Sequence, residues 1–93
     1  MPKEILKNII EGNQNYNISE DVLQAIQKGQ NPKITLVTCS DSRVSGHIFN
    51  KDMVNFVFHV RNIGNQITNN YGSVDYGVHH LKTPLLIILG HTD

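Results

Sequence analysis

Three short apolar segments constrain the fold of this chain more than any other feature of its sequence. They are residues 34–39, 56–60 and 85–89. None of them alternates polar and apolar side chains, which is typical of strands buried on both faces of a parallel sheet. Between the second and third segments, residues 67–81 repeat apolar side chains every three or four positions, which predicts a helix. The sequence therefore predicts an α/β fold in which helices flank a three-stranded parallel sheet on both sides.

The N-terminal part carries a different pattern, which predicts two helices. Apolar side chains share one face of the first helix, which we expect to end near Gly12, and Ser19 is a good N-terminal cap for the second. We expect a single domain over residues 1–93, because a chain of this length is too short for two. Within it, residues 1–30 form a helical arm. Residues 31–93 form an incomplete α/β core, because a three-stranded sheet leaves an open edge.

Composition excludes several classes of function. The 8 basic and 8 acidic side chains give no net charge, so the basic excess of nucleic-acid-binding proteins is missing. The longest apolar run, residues 85–89, is too short to span a bilayer. The single cysteine forms no internal disulfide, which is typical of a reducing compartment. We predict a cytoplasmic protein that binds neither nucleic acid nor membranes.

Two side chains with metal-ligating chemistry lie at or just after the carboxyl ends of predicted strands. Cys39 ends the first strand and His91 comes two positions after the third. Ligands of parallel sheets bind at the carboxyl ends of the strands, and thiolate and imidazole are both zinc ligands. The alternative is a cysteine that is buried for packing alone, which is the commoner case for an isolated cysteine.

Asp41 and Arg43 follow Cys39 closely, so a thiol, a carboxylate and a guanidinium occur within five residues. A guanidinium binds a carboxylate through two parallel hydrogen bonds, which keeps the carboxylate ionised and fixes its direction. A salt bridge that merely closes the loop is the alternative interpretation of this pair.

The sequence Cys-Ser-Asp-Ser-Arg-Val at residues 39–44, together with Arg61-Asn62 and Gly90-His91, resembles the β-class carbonic anhydrases over nearly the whole chain. This resemblance implies zinc-dependent reversible hydration of carbon dioxide to bicarbonate, carried out by a homodimer or higher homo-oligomer. It also implies that the segment beginning at Arg61 walls the active-site region.

The resemblance assigns a role to four residues of the motifs. It implies that Cys39 and His91 bind Zn²⁺. It implies that Asp41 orients the zinc-bound water, or binds zinc itself in closed forms, and that Arg43 is the partner of Asp41.

The resemblance extends to residues outside the metal motifs. It implies that Gln30, Phe58 and Tyr76 line the carbon dioxide site, some of them across a dimer interface, and that His80 is a candidate proton shuttle. Packing explains the two aromatic residues equally well. His79 and His80 are adjacent on a predicted helix, so they cannot both face one site.

The second metal motif of the family, Gly-His-x-x-Cys, places a third ligand at position 94, one position beyond this sequence. We therefore expect an N-terminal portion of a longer protein. Asp41 and Asp93 are the candidates to replace the cysteine in this chain. Two alternatives remain open: a catalytically silent module with an incomplete zinc site or none, and an unrelated α/β binding domain with an inert cysteine.

Overall fold

The computed structural model describes residues 1–49 and 52–92, and these contain a three-stranded parallel sheet in the order β2-β1-β3. The strands are β1, Ile34–Cys39; β2, Val57–Asn62; and β3, Leu85–Leu89. Both outer strands run parallel to β1. The predicted α/β fold with a three-stranded parallel core is confirmed.

The central strand β1 is buried along its whole length. Its polar side chains are hydrogen-bonded: the hydroxyl groups of Thr35 and Thr83, the latter just before β3, lie 2.7 Å apart, and Thr38 Oγ1 lies 2.8 Å from His59 Nε2 of β2. Buried hydroxyl groups cost little when they are hydrogen-bonded, so these threonines are compatible with the apolar core.

The second strand extends further than its apolar run predicts. It begins one residue later than expected and continues through Arg61 and Asn62, which were expected to follow the strand. The reason is the parallel pairing with β1, in which Cys39 is opposite Asn62 and the N–H of Ser40 donates to the carbonyl of Asn62 at 2.8 Å. Arg61 is therefore a strand residue, and it lies at the same carboxyl end of the sheet as Cys39.

Two helices precede the sheet: α1, Pro2–Gln14, and α2, Glu20–Ile26. The predicted cap is confirmed, because Ser19 Oγ accepts from the backbone N–H of Val22 at 3.3 Å. Helix α1 continues two residues past Gly12, since one glycine weakens a helix without ending it. Neither helix contains a buried residue. In the part of the chain that the structure describes, no helix is long and apolar enough to cross a membrane.

The segment between β2 and β3 is helical, as predicted, but its helix type changes along its length. It comprises a 3₁₀ turn, Thr68–Asn70; helix α3, Tyr71–Asp75; and a π-helical turn, Tyr76–His80. The π turn is closed by the N–H of Leu81, which donates to the carbonyl of Tyr76 at 2.9 Å. This segment packs its Val74 against Val37 and Val60 of the sheet, which forms the hydrophobic core.

Strand β3 is less covered than its apolar sequence predicts. Leu85, Leu86 and Ile88 are 52%, 41% and 50% exposed. Because successive side chains of a strand point to opposite faces, both faces of β3 reach solvent in this chain. The expected cover of helices on both sides is thus absent at β3 among the residues described.

Candidate metal centre

The candidate metal centre lies at the carboxyl edge of two neighbouring strands. Cys39 is the last residue of β1, and His91 follows β3 by two residues. Because β1 and β3 pair in parallel, their carboxyl ends meet at the same edge. The side chains of Cys39 and His91 shift each other's pKa, that of Cys39 downward and that of His91 upward.

The surroundings of Cys39 favour its thiolate. Cys39 is only 7% exposed, and its Sγ accepts from the backbone N–H groups of Asp41 and Gly64, each at 3.4 Å. The amides of Gly64 and then Asp41, followed by the His91 side chain, lower the pKa of the Cys39 thiol to about 7. Because the thiolate is the form that binds metals, Cys39 is prepared for ligation near neutral pH.

The contacts of His91 leave one ring nitrogen suited to a metal. His91 Nδ1 lies 2.9 Å from the carbonyl oxygen of Thr92. A carbonyl only accepts hydrogen bonds, so Nδ1 carries a proton, and in the neutral imidazole Nε2 has the lone pair. Metal-binding histidines usually donate their other N–H in this way. The Thr92 carbonyl, and next the Cys39 side chain, raise the pKa of His91.

Asp41 is held by Arg43. The guanidinium Nε donates to Asp41 Oδ1 at 3.0 Å, its Nη2 donates to Oδ2 at 2.7 Å, and the backbone N–H of Arg43 donates to Oδ1 at 2.8 Å. The side-chain bonds, and to a lesser extent the backbone bond, hold the pKa of Asp41 well below its usual range. The same ion pair raises the pKa of Arg43. Asp41 is therefore a fixed carboxylate beside the Cys39–His91 pair.

The donors present fit zinc in part. One thiolate and one neutral imidazole are ordinary zinc ligands. The amide N–H groups at the thiol and the carbonyl at the imidazole suit that role. Among the side chains that the structure describes, however, no group of three His, Cys, Asp or Glu is arranged to hold a metal ion. Both carboxylate oxygens of Asp41 are bonded to Arg43, and Asp93 lies outside the described residues. Cys39 and His91 are thus two candidate ligands, and the described residues place no third beside them.

The aromatic residues expected at the carbon dioxide site form a separate cluster. The rings of Phe58 and Tyr76 are 5.7 Å apart, and His80 stacks on Tyr76 at 4.5 Å. Phe58 pairs with Thr35 of β1, four residues before Cys39. At about 3.3 Å per residue, the cluster lies roughly 13 Å along the sheet from the Cys39 thiol.

Gln30 also lies away from Cys39. It is exposed in the loop between α2 and β1. The next residue, Asn31, donates its backbone N–H to Asn55 Oδ1 at 2.6 Å, which ties this loop to the chain just before β2. Gln30 is therefore at the amino end of the sheet, opposite the metal centre of its own chain.

The two adjacent histidines face different partners. His79 Nδ1 lies 2.6 Å from Asp75 Oδ1, one helical turn earlier, whereas His80 stacks on Tyr76. This divergence is the one expected of neighbouring residues on a helix. Of the two, only His80 belongs to the aromatic cluster.

Sequence reasoning missed the principal contact of Arg61. Its Nε and Nη2 donate to the carbonyl oxygen of Cys39 at 3.2 and 3.0 Å, and Nη2 also donates to the carbonyls of Asp41 at 3.1 Å and Val44 at 2.9 Å. These acceptors lie 17 to 22 positions before Arg61 in the chain. Only the register of β1 and β2 brings them together, so no local sequence signal could have shown the contact.

The sequences most similar to this chain include carbonic anhydrases. A sequence model of the carbonic anhydrase family matches residues 34–93. A carbonic anhydrase of Mycolicibacterium smegmatis is 37% identical over 72% of this chain and 33% of its own length. Carbonic anhydrase 2 of Mycobacterium tuberculosis is 31% identical over 97% of this chain and 48% of its own length.

Solved structures show the same relationship. The β-carbonic anhydrase CcaA superposes with a TM-score of 0.82 at 27% identity, over 94% of this chain and 48% of that chain. A Coccomyxa β-carbonic anhydrase superposes with a TM-score of 0.69 at 26% identity, over 96% of this chain and 42% of that chain. The chain thus spans between a third and a half of the length of these relatives. From the motif, the fold and these matches together, the chain belongs to the β-class carbonic anhydrases.

Proposed function

We propose that this chain is part of a zinc-dependent enzyme that interconverts carbon dioxide and bicarbonate. The observation that carries the proposal is the pairing of Cys39, in surroundings that favour its thiolate, with His91 across the carboxyl ends of β1 and β3. When bound, zinc supplies Lewis-acid activation of water, which yields a nucleophile near neutral pH.

In this proposal each side chain of the centre has a distinct task. Cys39 and His91 hold the metal. Asp41 stays ionised because Arg43 binds both of its oxygens, and it accepts a hydrogen bond from the attacking water, which orients that water toward carbon dioxide.

The carbon dioxide pocket is proposed to require a second copy of the chain, in a homodimer or higher homo-oligomer. Three residues lie away from the Cys39 of their own chain: Gln30, Phe58 and Tyr76. In the proposed oligomer they line the metal centre of a partner chain instead. His80 stacks on Tyr76 and is placed to carry a proton at the same pocket. A tetrameric β-carbonic anhydrase of Sordaria macrospora is among the similar structures, with a TM-score of 0.61 at 26% identity.

Two further predictions belong to this proposal. A cytoplasmic location suits it, because Cys39 binds zinc only when it is reduced. The division into an arm, residues 1–30, and a core, residues 31–93, is supported by the lack of buried residues in α1 and α2.

Zinc content and turnover test the proposal. The purified chain and its Cys39→Ser variant are assayed for zinc by atomic absorption and for carbon dioxide hydration by stopped flow with a pH indicator. We expect Cys39→Ser to lose nearly all of the zinc and turnover that the wild type shows, because one of its two candidate ligands is removed. Ser42→Ala, an exposed position in the same loop, is the matched control and retains both. Unchanged zinc in Cys39→Ser would remove Cys39 from the site.

A second candidate function is favoured by the missing third ligand among the described residues. It is a catalytically silent module that keeps the fold and acts as an interaction domain through the exposed strand β3. The same assay separates the two functions. A folded wild-type chain without zinc and without hydration above the buffer rate supports the silent module.

A further inference from the structure

Arg61 connects β2 to the loop that carries the metal centre. Its side chain forms four hydrogen bonds to three backbone carbonyls, those of Cys39, Asp41 and Val44. The loop itself forms few backbone bonds: the N–H of Ser40 donates to Asn62, and the N–H of Val44 donates to Asp41. Arg61 therefore supplies much of the hydrogen bonding that defines the path of this loop.

The two arginines of the chain act on different parts of the loop. Arg43 binds the side chain of Asp41, whereas Arg61 binds only main-chain oxygens and forms no ion pair within residues 1–49 and 52–92. A guanidinium is suited to this because its donors form a rigid planar fork that reaches several acceptors at once. A bond from a cationic donor is also about twice as strong as a neutral one.

We propose that Arg61 is a positioning residue of the metal centre. By fixing three carbonyls between residues 39 and 44, it holds the loop in the conformation in which the amides of Asp41 and Gly64 face the Cys39 thiol. The part of this inference that concerns metal affinity rests on the proposed zinc function; the part that concerns the loop does not.

Amide hydrogen exchange on the metal-free chain tests the loop. We expect the amides of residues 40–44 to exchange on the order of tenfold faster in Arg61→Gln, because charged hydrogen bonds to their carbonyls are lost. Arg61→Lys keeps the charge, but one ammonium cannot span three carbonyls, so it shows a similar acceleration. Lys28→Gln removes an exposed charge elsewhere and leaves the loop unchanged. The amides of Leu36 and Val37, in the buried centre of β1, report on global stability.

Two results of the exchange experiment overturn the proposal. One is a loop in Arg61→Lys that exchanges at the wild-type rate, which would show that charge alone suffices. The other is an equal acceleration of the loop and of Leu36 and Val37 in Arg61→Lys, which would show a role in general stability only.

Titration with cobalt(II) tests the metal centre independently of turnover, through the near-ultraviolet absorption band of a cobalt-thiolate bond. We expect Arg61→Gln and Arg61→Lys to weaken cobalt binding about 10- to 100-fold, the usual loss when a partner of a metal ligand is removed. Lys28→Gln binds as the wild type does. Wild-type affinity in both Arg61 variants overturns the role in metal binding. A wild-type chain that binds no cobalt contradicts the zinc function instead, and the exchange experiment then still decides whether Arg61 positions the loop.

Discussion

Arg43 controls the ionisation of Asp41, and its removal has a predictable effect on that carboxyl group. In Arg43→Gln the two guanidinium bonds disappear while the backbone N–H of residue 43 remains, so the pKa of Asp41 rises toward, without reaching, its ordinary value. The chemical shift of the Asp41 carboxyl carbon, followed by NMR over a pH titration of the metal-free chain, measures this. Lys28→Gln is the control with the same loss of charge. An Asp41 pKa that is the same in Arg43→Gln and the wild type would contradict the assignment.

His59 makes the stability of the fold depend on pH. Its burial, and then the charge of Arg61, lower its pKa below the ordinary value of 6.5. The folded state therefore binds fewer protons than the unfolded state. The contribution of His59 to the free energy of unfolding is complete above the unfolded pKa of about 6.5, and it falls as the pH drops through that value toward the folded pKa.

Urea unfolding between about pH 7.5 and pH 5 checks this expectation. The free energy of unfolding of the wild type should fall more steeply toward low pH than that of His59→Gln. Glutamine does not titrate, and its amide can still bond to Thr38 Oγ1, so the comparison isolates the imidazole. Equal slopes in the two proteins would exclude His59 as a source of the pH dependence.

At the level of secondary structure elements, the contact of the π turn with the sheet depends on Gly77. A Cβ at this position would overlap Thr35 Oγ1 and approach Phe58 Cδ2 to 2.9 Å. We expect Gly77→Ala to destabilise the protein by about 1–3 kcal/mol, the usual cost of overpacking a core.

Gly72 provides a matched control in the same helical segment, because a Cβ there meets no atom within 4 Å. Gly72→Ala should stabilise the protein by about 0.5–1 kcal/mol, since alanine restricts the unfolded chain. Urea unfolding of both variants measures the difference. A Gly77→Ala variant as stable as the wild type would show that the turn can move away from β1.

The sequence predicts those features of the fold that depend on residues close together in the chain or on a general rule of topology. The strands follow from runs of apolar and β-branched residues, and the placement of Cys39 near His91 follows from the rule for parallel strand ends. The π turn could not be predicted, because the change in hydrogen bonding occurs where Gly77 packs against Thr35, a contact between distant parts of the chain. The apolar pattern ends β2 too early because pairing with β1 carries the polar Arg61 into the strand ladder.

For the whole molecule, helix α1 presents the clearest energetic problem. It has 13 residues, about the length at which an isolated helix is only marginally stable in water, and none of them is buried. Its apolar side chains, including Leu6 at 57% and Ile10 at 49% exposure, lie at helical spacing on one face. Packing of that face against another copy of the chain would supply the missing stabilisation, in agreement with the proposed homo-oligomer.

Leu6→Glu tests this by placing a charge on the apolar face of α1. We expect the wild type to associate with increasing concentration in sedimentation velocity and to gain helical circular dichroism as it does, because association buries the helix face. In Leu6→Glu both changes should weaken together. Asn8→Glu adds the same charge away from that face and should behave as the wild type. If Leu6→Glu associates as strongly as the wild type, α1 does not form the contact between subunits, and its stability must have another source.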